Sequence, residues 1–153
     1  MGPKIATLFQ DYYSYHRHPM NQKLHYFGVY TIVISLLGLL SFVTFGGSQF
    51  QNQLIRPDLG LTLVVGGLFF YFYMDWKLAI PFTLVLMGCY FLGRSLPLEA
   101  LIALQIGGWI VQFIGHLKFE KKSPALFKNA THLLVGPFWL FAKMIGYAKP
   151  SNA

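Results

Sequence analysis

The sequence predicts an all-α, polytopic membrane helical bundle: about four transmembrane helices, an N-terminal helix and a C-terminal interfacial or re-entrant helix. Three observations predict it. Hydrophobic residues make up 55% of the 153 residues and charged residues only 11%, against about 25% charged in soluble domains. The apolar residues gather into long runs broken by Gly, Pro or polar clusters. The basic residues flank those runs and do not form a surface stripe. The length suits one domain, so residues 1–153 are read as a single integral-membrane domain.

Each element has its own justification. Met1 to Lys23 is polar and aromatic, without a continuous apolar core or a clear cleavage site, which argues against a secretory signal. Pro19 disfavours helix at His18 and removes a donor, so one helix is expected to end near His18 and another to start after Pro19. Tyr26 to Phe45 is long enough to cross a bilayer, which takes about 20 helical residues. Gly46, Gly47 and the stretch to Arg56-Pro57-Asp58 end it. Leu59 to Met74 and Leu78 to Leu92 are each short for a span, and only Asp75-Trp76-Lys77 separates them. They read as a tight helical hairpin with Asp75 and Lys77 at its tip. Ala100 to Phe119 is the fourth run, and Glu120 to Asn129 is polar. His132 to Tyr147 contains Gly136-Pro137 and Lys143, so it is expected to lie in the interface or dip into the protein without spanning.

Charge sets the orientation. With four spans and both termini cytoplasmic, Lys4, Arg17, Lys23, Lys77, Lys118, Lys121, Lys122, Lys128, Lys143 and Lys149 are inside, and Arg56 and Arg94 are outside. The membrane would be a bacterial inner membrane, or that of the endoplasmic reticulum in a eukaryote. The net charge of +7 then reflects topology and anionic headgroups, and nucleic acid is not expected as a partner. Membrane lipid is, and the sequence is compatible with a homo-oligomer. The single cysteine, Cys89, lies in an apolar run and reads as a small inert hydrophobe.

The chemistry lies in the histidines. Four spans place His25 at the start of the first, His116 at the end of the fourth and His132 at the start of the last segment, all on one side. On an unbroken helix His16 and His25 would face opposite ways, at about 100° per residue. The break at Pro19 allows them to fold together. Asn21 shares a face with His25 and can orient a ligand or cap the helix start. Gln112, His116 and Glu120 are spaced by four and form a polar stripe on an apolar helix, while Gly108 and Gly115 permit close approach of another helix. His16, His25, His116 and His132 are the candidate metal ligands. Imidazoles bind Fe, Zn, Cu and Ni, so the donors leave the metal open.

Plainer roles compete. A histidine near a headgroup layer is often only an interfacial polar residue, and His18, pointing away from His16, reads that way. Glu120 by default pairs with Lys118, Lys121 or Lys122. Phe69 to Tyr73 reads as packing or an interface belt. A non-enzymatic membrane protein is therefore an alternative, as is another metal-dependent lipid-modifying enzyme. A di-iron hydroxylase needs more histidines than the five present, and a transporter would need more intramembrane charge.

Tyr15-His16 through Pro19, Asn21 and His25 form one motif. Gly108-Trp109, Gln112-Phe113, Gly115-His116, Phe119-Glu120-Lys121 and Pro124-Ala125-Leu126 form a second. As a pair, in order over nearly the whole chain, they resemble the 2-hydroxy fatty-acid dioxygenases, small polytopic membrane proteins. The resemblance implies Fe(2+) as cofactor and a 2-hydroxy fatty acid and O2 as substrates. The product would be the fatty acid one carbon shorter, plus CO2. It carries metal-ligand roles to His16, His25 and His116. His132 is a candidate by position alone, and Asn21, Gln112 and Glu120 are expected to support the ligands or touch substrate.

Overall fold

The computed structural model describes residues 1–45, 53, 55–121 and 130–148. Gly46, Gly47, Lys122, the Pro124-Ala125-Leu126 motif, Lys128 and Lys149 lie outside the described residues. The described chain is helical, apart from one isolated bridge between Thr44 and Asp58.

Helix α1 (Pro3–Ser14) starts with proline in its first turn, where no N–H is needed. Ile5, Phe9 and Tyr12 recur at helical spacing and form its buried face. It ends four residues before His18, earlier than Pro19 alone would require. The chain needs Tyr15–His18 to reverse direction, and His18 is extended, as expected before proline. Helix α2 (Pro19–Leu40) begins at Pro19 itself, with His18 Nδ1 accepting from Met20 N at 3.1 Å as its cap. The cap is thus His18, not Asn21. The helix starts seven residues before the apolar run at Tyr26, because its first turns bury Asn21, Gln22 and His25 inside the protein.

Helix α3 (Leu59–Ser95) is capped by Asp58, whose Oδ1 accepts from Leu61 N at 2.8 Å. Its backbone breaks at Asp75 (φ −159°, ψ 97°). Unbroken, it would separate Asp58 and Tyr90 by about 48 Å at 1.5 Å per residue. Instead the Tyr90 hydroxyl donates to Asp58 Oδ2 at 2.8 Å, and the Tyr71 and Phe82 rings meet edge-on at 5.0 Å. The helix doubles back into arms 59–74 and 76–95, with Asp75 at the bend as expected. At the tip, Asp75 Oδ2 accepts from the Tyr147 hydroxyl at 2.8 Å. The Phe69–Tyr73 stretch divides: Tyr71 is core, whereas Phe69 and Tyr73 face outward.

Helix α4 (Leu98–Ile114) runs into a π-helical turn, Gly115–Glu120, closed by Lys121 in the left-handed region at φ 53°. Helix α5 (His132–Met144) has 13 residues, about 20 Å at 1.5 Å per residue, short of the roughly 30 Å hydrocarbon core. Val135 to Ala142 are all buried. Phe138 packs on Phe9, Tyr71 and Phe82, and the Tyr30 and Tyr71 hydroxyls donate to the carbonyls of Pro137 and Leu134. Among the described residues, three helices are long and apolar enough to cross a membrane: Pro19–Leu40, Leu59–Ser95 and Leu98–Glu120.

Helix α2 is the hub, packed along both α3 and α4. Its approach to α4 depends on glycine. A Cβ on Gly108 would lie 2.7 Å from Ile32 Cγ1 and 3.3 Å from Gly28 O, whereas one on Gly107 would meet nothing within 4 Å. Gly108→Leu should therefore destabilise the protein by about 1–3 kcal/mol, typical of overpacking, and lower the melting temperature of the detergent-solubilised protein. Gly107→Leu should leave it unchanged. Equal melting temperatures for both variants and the parent would contradict this packing.

Candidate metal centre

Three of the predicted ligands meet. His16, in the reversal after α1, His25, on the second turn of α2, and His116, in the π turn, bring ligand atoms within 4.8 Å of one another. Nε2 of His25 lies 3.1 Å from His16 Nε2 and 3.2 Å from His116 Nε2. All three rings are buried, at 2–3% exposure.

Proton positions give these distances their meaning. His16 Nδ1 lies 2.7 Å from the Tyr12 carbonyl oxygen, and His25 Nδ1 lies 2.9 Å from that of Asn21. A carbonyl only accepts, so both Nδ1 atoms carry the proton. Burial, reinforced by the neighbouring His25, pushes the His16 pKa down to about 2, so the ring is neutral at neutral pH. A neutral imidazole has one proton, which leaves Nε2 a bare lone pair. The close Nε2 pair is therefore not a hydrogen bond between neutral rings. Lone pairs aimed at each other repel, and a shared cation converts that repulsion into attraction. The donor set thus fits a metal: three converging imidazoles with no thiolate, two of them held at Nδ1 by backbone carbonyls.

Supporting groups hold the rings. Tyr12 stacks on His16 with centroids 3.9 Å apart. Gln22 Nε2 donates to the His16 carbonyl at 2.6 Å, and Lys143 Nζ donates to Gln22 Oε1. Glu120 Oε1 accepts from Asn21 Nδ2 at 3.0 Å and from the His18 N–H at 2.7 Å. Glu120 therefore binds the first turn of α2, where backbone N–H groups favour a carboxylate; among the described residues no ion pair joins it to Lys118 or Lys121, the partners first expected. Gly115 leaves room for this: a Cβ there would collide with Asn21 Oδ1. The π turn widens the helix where His116 must face His25 and Glu120 must face the start of α2.

A cleft of about 560 Å³, counting its open mouth, leads to the three rings. Val29, Ile32 and Val33 of α2, Trp109 and Gln112 of α4, and Leu133, Gly136 and Pro137 of α5 line it. His132 lines it too, but departs from the expected ligand role. Its Nε2 is bound to Asp11 Oδ2 at 2.7 Å, and the metal-competent group is His16, His25 and His116 without it. The sequence reading missed Tyr12, Gln22 and Asp11. Tyr12 sits four residues before His16, a visible signal for stacking across a helix end. Asp11 and His132 are 121 residues apart, and no local pattern joins them.

Comparison with known proteins assigns the family. Residues 3–148 match the family model described as Mpo1-like, 2-hydroxy-palmitic acid dioxygenase Mpo1-like. The chain is 31% identical over 144 residues, 88% of its own length and 75% of the relative's, to the 2-hydroxy-palmitic acid dioxygenase MPO1 of Saccharomyces cerevisiae. No solved structure matches. With the match running through both histidine motifs and nearly end to end, the chain belongs to the Mpo1-like family of 2-hydroxy-palmitic acid dioxygenases.

Proposed function

We propose that this chain is an Fe(II)-dependent dioxygenase that performs α-oxidation of 2-hydroxy fatty acids. One observation carries the reading: three buried histidine rings converge, with the Nε2 atoms of His16 and His116 3.1 and 3.2 Å from that of His25, at the end of a largely apolar cleft. The name of the yeast relative supplies the substrate class. The reaction balances without an outside reductant. A 2-hydroxy acid and O2 give the acid one carbon shorter, CO2 and water. The four electrons taken by O2 come from the two carbons of the acid head.

His16, His25 and His116 would hold the metal. A bound ferrous ion would supply the reactivity toward O2 that these side chains lack. The chain's own residues do the rest. Tyr12 and Asn21 keep the ring protons of His16 and His25 turned outward through their carbonyls. Glu120 fixes Asn21. Val29, Val33, Leu133 and Pro137 offer the acyl chain an apolar track.

For placement we propose four crossings: α2, the two arms of α3, and α4 with its π turn. Both termini and the histidine centre are then cytoplasmic, with Arg56 and Arg94 on the far side. Helix α5 dips into the bundle beside the centre. The membrane is a bacterial inner membrane or that of the endoplasmic reticulum.

Three outcomes are expected. Purified, anaerobically iron-loaded protein given a 2-hydroxy fatty acid and O2 should yield the acid one carbon shorter by mass; unchanged substrate across chain lengths would reject the activity. His16→Ala, His25→Ala and His116→Ala should each insert normally yet lose metal by elemental analysis, and full metal content in all three would remove the site. Glu120→Ala should weaken metal binding by about 10–100-fold, the usual effect of losing a group that orients a ligand; titration of metal-free protein reads this, and parental affinity would deny Glu120 its role.

A further inference from the structure

Two polar atoms in the cleft wall have no partner. Gln112 Nε2 and His132 Nδ1 are buried without a hydrogen bond, on side chains only 6% and 5% exposed. Such groups cost about 1–3 kcal/mol each when left unpaired. Both residues line the cleft that ends at the three histidines. The other two buried unpartnered atoms belong to the centre itself: Asn21 is held by Glu120 and does not line the cleft, and His116 Nδ1 is on a ring of the centre.

The two atoms are opposite in kind. An amide nitrogen only donates. On His132, Nε2 faces the Asp11 carboxylate at 2.7 Å. An ionised carboxylate only accepts, so Nε2 carries a proton, and in that tautomer Nδ1 is an acceptor. The wall therefore offers one donor and one acceptor, Gln112 on α4 and His132 on α5. A 2-hydroxy acid presents the complement: a carboxylate that accepts and, on the next carbon, a hydroxyl that donates.

We infer that Gln112 binds the substrate carboxylate and that His132, its tautomer set by Asp11, accepts the hydrogen bond of the 2-hydroxyl. This rests on the reading above that the cleft takes 2-hydroxy fatty acids. His132 is then a binding residue that selects the hydroxylated acid, and Asp11 is a positioning residue. Selection has to come from the head. The acyl tail leaves lipid for an equally apolar cleft and gains little by the exchange. An unsubstituted acid leaves His132 Nδ1 unpaired, which a buried site penalises.

The test measures binding to metal-free protein, with 2-hydroxyhexadecanoic and hexadecanoic acid as probes. The same pair then competes for the iron-loaded enzyme. The parent should prefer the hydroxylated acid by about tenfold, the scale of one buried hydrogen bond. His132→Leu should bring that ratio close to one. Gln112→Leu should weaken both acids by a similar factor and keep the ratio. Asp11→Ala should lower the ratio several-fold; Asp11 is half exposed, so this variant serves if His132→Leu does not fold. A parental ratio in both His132→Leu and Asp11→Ala overturns this inference alone, with turnover of 2-hydroxy acids intact. A parent enzyme that neither binds nor converts 2-hydroxy acids overturns the reading beneath it as well.

Discussion

Bare imidazole nitrogens facing one another inside an apolar bundle are the constraint on which the rest of this structure depends. His25 Nε2 stands 3.1 and 3.2 Å from its counterparts on His16 and His116. Each lone pair is a buried acceptor, and an unsatisfied one costs about 1–3 kcal/mol. The two on His16 and His25 together cost on the order of a few kcal/mol by that scale, a sizeable share of a typical stability of about 5–15 kcal/mol. A shared cation would remove the penalty, and its affinity would then be coupled to folding free energy. The arrangement is therefore costly for a purely structural cluster and suited to a binding site.

The surrounding fold holds that arrangement in place. Tyr12 closes α1 and lends His16 a carbonyl and a stacked ring. Proline at the start of α2 makes the reversal that turns His16 back toward His25. The Gly28–Gly108 crossing brings α4 against α2, and the π turn aims His116 across the gap. At the opposite end Asp58 ties Arg56 and Tyr90 across the α3 hairpin. One end of the bundle is thus a structural clamp and the other is built for chemistry.

Much of this was legible in the residues. The apolar runs set the helices, and the polar Asp75-Trp76-Lys77 interruption located the bend in α3. Pro19 signalled a chain reversal between His16 and His25, and the alternation of runs returned His116 to the same end. Other features followed from tertiary contacts that leave no local trace. Helix α2 begins at Pro19 because its polar first turns are buried against α4 and the π turn, not against lipid. Hydropathy marks only the lipid-facing part, which is why the run at Tyr26 starts late. Glu120 had lysines on both sides as candidate partners, and its bonds to His18 and Asn21 depend on how two distant helix ends meet. His132 shared its position with the ligands, and the carboxylate of Asp11 that claims its Nε2 is 121 residues away.

X-ray absorption spectroscopy of the purified, metal-loaded protein tests the central claim most directly, because it reads the atoms around the ion independently of turnover. The account predicts an inner shell containing three imidazole nitrogens at about 2.0–2.2 Å, the usual length of metal–histidine bonds. Outer-shell scattering from the imidazole rings should accompany them. A shell of oxygen or sulfur without imidazole scattering would contradict it.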